Sequence, residues 1–80
     1  MGSYNKQYLS ILVRKNIRKY RLMRNLTLQE LADLTDFTHG YVRDLECMGV
    51  DKTPTLEALG RFANALKVDI RQLFDDTEDS

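Results

Sequence analysis

The sequence predicts an all-α fold of five helices, and two observations support this prediction. Apolar residues recur at helical spacing, as Val13, Ile17 and Tyr20 do near the start of the chain. Residues that can cap a helix N-terminus stand directly before several such stretches, the clearest being Thr27 and Thr38. With 80 residues, the chain has the length of one domain with a single small core.

The first helix is predicted to begin between Asn5 and Leu9 and to end at Arg24. Its start is weakly marked, because either Ser3 or Asn5 can act as the cap. Its end is marked by Asn25, a residue that tolerates the left-handed conformation common after a helix.

The second and third helices are predicted between Thr27 and Glu46, joined by a tight turn at Asp36. Thr27 and Glu30 have the spacing of a capping box, and the small Ala32 allows the two helices to approach closely. The apolar residues predicted to face inward are Leu31, Leu34, Phe37, Val42 and Leu45. The residues predicted to project outward from the start of the third helix are Thr38, His39, Gly40 and Arg43.

The fourth helix is predicted to start at Thr55, which follows Pro54. Its predicted buried stripe consists of Leu56, Leu59, Phe62, Ala63 and Leu66. A second capping-box pattern, Asp69 with Gln72, predicts a short fifth helix through Phe74.

The folded domain is predicted to cover residues 9–75, after a partly helical N-terminal segment at residues 1–8. Residues 76–80 are predicted to be a disordered acidic tail, because 75–80 contain four acids and no apolar residue. The tail would either increase solubility or compete for the basic face of the domain.

Charge is divided unevenly along the chain, although the formal net charge is zero. Residues 1–25 contain seven bases and no acid. Residues 26–80 contain the other five bases and all twelve acids, which leaves that part with a charge of −7. A basic patch of this kind suits either phosphate binding or an ordinary solvated helix face.

Several classes of protein are disfavoured. No long apolar stretch predicts a membrane span, and no signal-peptide pattern opens the chain. The single cysteine, Cys47, cannot form an internal disulfide, which favours a reducing, cytoplasmic setting. Neither a catalytic set nor a Gly-rich phosphate loop is recognisable, and His39 is the only histidine. We therefore expect no enzyme activity, no metal, no cofactor and no small-molecule ligand.

A series of motifs follows in order along the chain: Leu26-Thr27-Leu28, Glu30-Leu31-Ala32, Thr38, Tyr41-Val42, Glu46, Pro54-Thr55-Leu56-Glu57-Ala58-Leu59 and Leu66-Lys67-Val68-Asp69. Together they resemble the XRE-like helix-turn-helix domains of the lambda-repressor/Cro family, over most of the chain from Leu12 to Phe74. Three features depart from the family pattern. Leu28 replaces a usual Gln, which stands one place later as Gln29; Asp36 replaces a usual Gly; and the loop before Pro54 is longer than usual.

The resemblance implies binding to double-stranded DNA, with the third helix in the major groove. The expected base contacts are Thr38, His39, Gly40 and Arg43. Arg43 can present a fork to guanine, whereas His39 can equally be an exposed surface residue. The expected phosphate contacts are Thr27, Gln29, Tyr41, Lys52 and Arg14. Tyr41 can alternatively serve in packing.

The resemblance further implies an ion pair between Arg21 and Glu46, either buried and bidentate or a loose surface pair. It also implies a transcriptional regulator, expected to be a repressor, that acts as a homodimer on a palindromic operator. The expected dimer contacts are Ile70, Leu73 and Phe74. A protein-binding accessory or antitoxin-like module is the alternative, which the zero net charge and Leu28 leave open.

Overall fold

The computed structural model describes residues 4–77, which form four α-helices and one short 3₁₀ helix. The helices are α1 (Lys6–Met23), α2 (Leu28–Thr35), α3 (His39–Glu46), α4 (Leu56–Leu66) and the 3₁₀ helix (Ile70–Phe74). The prediction of five α-helices is therefore corrected to four. Asp69 and Gln72 form the expected capping box, but the helix that Asp69 caps has only five residues. The backbone amide of Gln72 donates to the Asp69 carbonyl three residues back, which is the hydrogen bond of a 3₁₀ helix.

Side-chain caps begin all four α-helices. The Asn5 carboxamide oxygen accepts from the Tyr8 amide at 2.8 Å, and the Thr55 hydroxyl accepts from the Ala58 amide at 3.0 Å. Thr27 and Glu30 form the reciprocal capping box, at 3.0 and 2.8 Å. These local contacts satisfy amide groups that a helix N-terminus cannot bond internally.

Three residues adopt the left-handed conformation where α1, α2 and α4 end. They are Asn25 (φ 58°), Asp36 (φ 63°) and Lys67 (φ 57°). The first two have side chains that tolerate this region, and sequence reasoning predicted both. Lys67 has no such preference, so its conformation depends on the packing around it.

The core lies between α1, α2, α3, α4 and the 3₁₀ helix. It consists of Val13, Ile17, Leu31, Ala32, Val42, Leu45, Ala58, Leu59, Phe62, Ala63, Leu66 and Leu73. Two residues predicted to face inward are exposed. Thr35 takes the inward place at the end of α2 and leaves Leu34 outside, and Leu56, in the first turn of α4, is 82% exposed.

The C-terminal segment is held against α1. The Asn16 side-chain amide donates to the carbonyls of Leu73 (2.8 Å) and Asp75 (2.9 Å), and the Tyr8 hydroxyl donates to the Asp76 carboxylate. The rest of the tail predicted to be disordered, at positions 78–80, lies outside the described residues, as does the alternative cap Ser3. Within positions 4–77, no helix combines the length and apolar character needed to cross a bilayer.

Candidate nucleic-acid interface

The turn between α2 and α3 is built on Phe37. Its ring lies 4.7 Å from that of Tyr41 and 5.4 Å from that of Phe62, centroid to centroid. The Arg61 guanidinium carbon lies 5.0 Å from the centroid of the Phe37 ring, and the guanidinium donates to the carbonyl of Thr35 at the end of α2. Sequence reasoning missed Arg61, because only the fold brings α4 to this turn. The contacts fix α3 relative to α2.

The start of α3 presents Thr38, His39 and Arg43 to solvent, while Gly40 between them is half-buried. The Thr38 hydroxyl accepts from the Tyr41 amide at 3.1 Å and retains its own hydrogen for donation. A Cβ on Gly40 would meet only the Arg43 Nη2 atom, at an ordinary 3.6 Å. The fold itself therefore does not require glycine at this position.

Arg43 lies along the outer side of α3 with 59% of its side chain exposed. Its Nε and Nη2 atoms are 3.4 and 3.3 Å from the Asp44 Oδ1 atom. This neighbouring pair is open to water, so it holds the guanidinium only weakly. Arg43 can consequently exchange Asp44 for another acceptor.

Lys52, in the loop before α4, lies beside α3. Its Nζ atom lies 4.8 Å from the centroid of the Tyr41 ring and 4.0 Å from the Asp44 Oδ2 atom. The Tyr41 ring packs on Phe37, and burial raises the pKa of its hydroxyl, which keeps it protonated and able to donate. The loop thus adds a cation beside the outer face of α3.

Thr27 and Gln29, the phosphate contacts predicted on α2, are both exposed. Thr27 is engaged in its capping box, and the side-chain amide of Gln29 donates to the Asp33 carboxylate at 2.9 Å. Thr27 caps α2 and Gln29 lies in its first turn. The capping box occupies the backbone amides of Thr27 and Glu30, so an anion would be bound by those of Leu28 and Gln29.

Arg14 does not lie on a surface that could meet phosphate. It is 3% exposed, and its guanidinium donates to four backbone carbonyls, those of Asp44, Leu45, Cys47 and Val50. The predicted phosphate contact at Arg14 is therefore wrong. The periodicity of α1 placed this residue on a basic helix but could not show that the end of α3 covers it.

Arg21 and Glu46 form a bidentate pair, with Nε–Oε2 at 2.6 Å and Nη2–Oε1 at 2.7 Å. The two side chains are only 10% and 7% exposed, which is the buried arrangement rather than the loose one. Arg21 also donates to the Leu26 carbonyl, and its hydrogen bonds to the Glu46 carboxylate raise the pKa of the guanidinium. Arg18 approaches the same carboxylate at 3.6 Å. The pair joins α1 to the end of α3.

The three predicted dimer contacts separate into two groups. Leu73 is fully buried in the core of its own chain, so the prediction for this residue is wrong. Ile70 and Phe74 remain partly exposed on the 3₁₀ helix. Phe74 borders an apolar groove that also involves Leu9 and Leu56.

Comparisons with known proteins agree with this geometry. The helix-turn-helix family model HTH_3 matches residues 17–73, more than half of the chain. No curated protein matches. Among solved structures, the chain is similar to the hypothetical transcription factor NHTF from Neisseria, with 26% identity and a TM-score of 0.74. That similarity covers 88% of this chain and 76% of the other.

Proposed function

This chain belongs to the XRE-like helix-turn-helix family of lambda-repressor/Cro type, and on that premise we propose that it is a sequence-specific regulator of transcription that binds double-stranded DNA. The observation that carries the proposal is the face of α3 formed by Thr38, His39 and Arg43, which is exposed while the opposite face is buried. An α-helix with one polar face held outward fits the major groove. We refer to α3 from here on as the recognition helix.

In the proposed complex, Arg43 leaves Asp44 and presents its fork to the O6 and N7 atoms of a guanine. The freed Asp44 carboxylate can accept from the N4 amino group of a cytosine. Gly40 allows the backbone to approach the DNA, and His39 donates to a base edge. Thr27 and Gln29 at the start of α2, together with Tyr41 and Lys52, bind the phosphates that set the register.

Arg43→Ala tests this assignment. We expect site selection from random duplexes to return a sequence that Arg43→Ala no longer distinguishes at one base pair per half-site, a loss of about 1–3 kcal/mol of discrimination. Arg71→Ala is the control, because it removes the same charge from the 3₁₀ helix and should leave the selected sequence unchanged. Uniform weakening on all sequences would make Arg43 a phosphate contact instead.

The salt dependence of binding separates this function from protein binding. Contacts to phosphate release counterions, so the affinity of the wild-type protein should fall steeply as salt increases. No shift of duplex DNA at low salt, with capture of a protein by the same sample, would favour the accessory or antitoxin-like alternative.

We further propose that the protein acts as a homodimer on a palindrome and represses by occupying a promoter. The exposed Ile70 and Phe74 would form the contact between subunits, since one recognition helix alone contacts too little DNA for high specificity. The half-sites should lie about 34–36 Å apart.

Phe74→Asp should shift sedimentation of the protein from dimer towards monomer and weaken binding to the palindrome more than to a single half-site. Leu22→Asp, which places the same charge at an exposed leucine of α1, should do neither. Monomeric wild-type protein at high concentration would contradict the dimer proposal.

A further inference from the structure

Arg14 is a buried cation that donates to four backbone carbonyls. Its Nε atom donates to Leu45 O at 2.7 Å, and its Nη2 atom donates to Cys47 O and Val50 O, each at 2.7 Å, and to Asp44 O at 3.3 Å. Within residues 4–77, no acidic side chain forms an ion pair with it. The position of these carbonyls therefore determines whether the buried charge is stabilised.

The carbonyls belong to two consecutive parts of the chain. Asp44 and Leu45 lie in the last turn of the recognition helix, where the helix dipole is negative and the Asp44 carbonyl also accepts from the Cys47 amide at 3.2 Å. Cys47 and Val50 lie in the loop that follows, where the Val50 amide closes a turn on the Cys47 carbonyl at 2.9 Å. A guanidinium carries five donors in a fixed plane, so it can hold both parts in one arrangement.

A second side chain of α1 fastens the same loop. Ser10, one helical turn before Arg14, donates from its hydroxyl to the Lys52 carbonyl at 3.1 Å. Lys52 is the residue whose ammonium lies beside Tyr41 and Asp44 on the recognition helix. The loop that carries Lys52 is thus hydrogen-bonded to α1 at two positions, Ser10 and Arg14.

We propose that Arg14 is a positioning residue, which fixes the C-terminal end of the recognition helix and the loop bearing Lys52 in the arrangement that meets DNA. This inference rests on the proposed DNA-binding function. It assigns to Arg14 a role different from that of Arg21, which binds the side chain of Glu46 rather than backbone carbonyls of the recognition helix and the loop that follows it.

Hydrogen exchange of the free protein provides the first test, and it does not depend on DNA. We expect Arg14→Lys and Arg14→Met to accelerate exchange at the amides of Cys47 and Val50 while the amides of α4 keep their protection. Arg14→Lys retains the charge but lacks the planar fork, so it distinguishes geometry from charge. Unchanged exchange at Cys47 and Val50 would overturn the proposal.

Affinity for the selected duplex provides the second test. Arg14→Lys should bind about tenfold more weakly than wild type at a temperature where both are folded. Val13→Ala, which removes core volume from the neighbouring position of α1, is the matched control for loss of stability and should change affinity less than twofold. Equal losses in the two variants would show that Arg14 is merely structural, which overturns the proposal.

Two other outcomes, a variant that does not fold and a wild-type protein that binds no duplex, can also be interpreted. Should Arg14→Met fail to fold, Arg14→Lys and the milder Ser10→Ala still report on the loop, and Ser10→Ala should accelerate exchange near Lys52 only. If the wild-type protein binds no duplex, the proposed function fails, and the role of Arg14 in positioning the recognition helix for DNA binding fails with it. Exchange would then still show whether Arg14 holds the loop.

Discussion

Glu46→Gln should lower the free energy of unfolding by about 3 kcal/mol, because it removes the charge that compensates a buried guanidinium. The exchange preserves shape and leaves Arg21 with one neutral acceptor from the side chain and with the Leu26 carbonyl. The remaining exposure of the two side chains, 10% and 7%, keeps the expected cost at the lower end for a buried pair. Urea denaturation followed by circular dichroism measures the change.

Glu57→Gln is the matched control on the same scale. Glu57 forms an ion pair with Arg61 at 2.7 Å, four residues along α4, but its side chain is largely exposed. Its loss should change the stability by about 0.5 kcal/mol or less. If both variants unfolded at the same urea concentration as wild type, the Arg21–Glu46 pair would contribute no more than a surface pair does.

The elements that sequence reasoning located correctly are those specified by neighbouring residues. A capping box needs only Thr27 and Glu30, and a left-handed end needs only a tolerant side chain such as Asn25 or Asp36. The start of α3 at His39 follows in the same way from Thr38. Information of this kind lies within four residues of the position it determines, so a single sequence contains it.

The errors concern residues whose environment is set by distant parts of the chain. Arg14 is an ordinary basic residue of α1 until the end of α3, some thirty positions later, covers it. Leu73 and Phe74 are adjacent and equally apolar, and only the orientation of the 3₁₀ helix decides that the first is buried. The periodicity of α4 likewise could not show that Leu56 is left largely exposed. Packing between elements therefore limits how much of the site could be predicted.

Phe62→Ala is expected to have the largest effect on stability, about 4 kcal/mol, because Phe62 is fully buried and its loss leaves a cavity in the core. A domain of this size is stable by roughly 5–15 kcal/mol, so the substitution should remove a large share of the total stability. The cavity would also open directly beneath Phe37, whose ring lies 5.4 Å away and supports the turn before the recognition helix.

Phe62→Leu, a milder change at the same site, and Leu56→Ala, a change at an exposed site, are the comparisons for this prediction. Phe62→Leu retains most of the apolar volume and should cost about 1–2 kcal/mol, while Leu56→Ala, at an 82% exposed site on the same helix, should cost about 0.5 kcal/mol or less. Thermal unfolding by calorimetry orders the three variants. At a temperature where Phe62→Leu is folded, its affinity for DNA should fall more than that of Leu56→Ala, because the displaced Phe37 ring no longer holds α3 against α2. Equal affinity of the two variants would mean that the orientation of α3 does not depend on the ring stack beneath it.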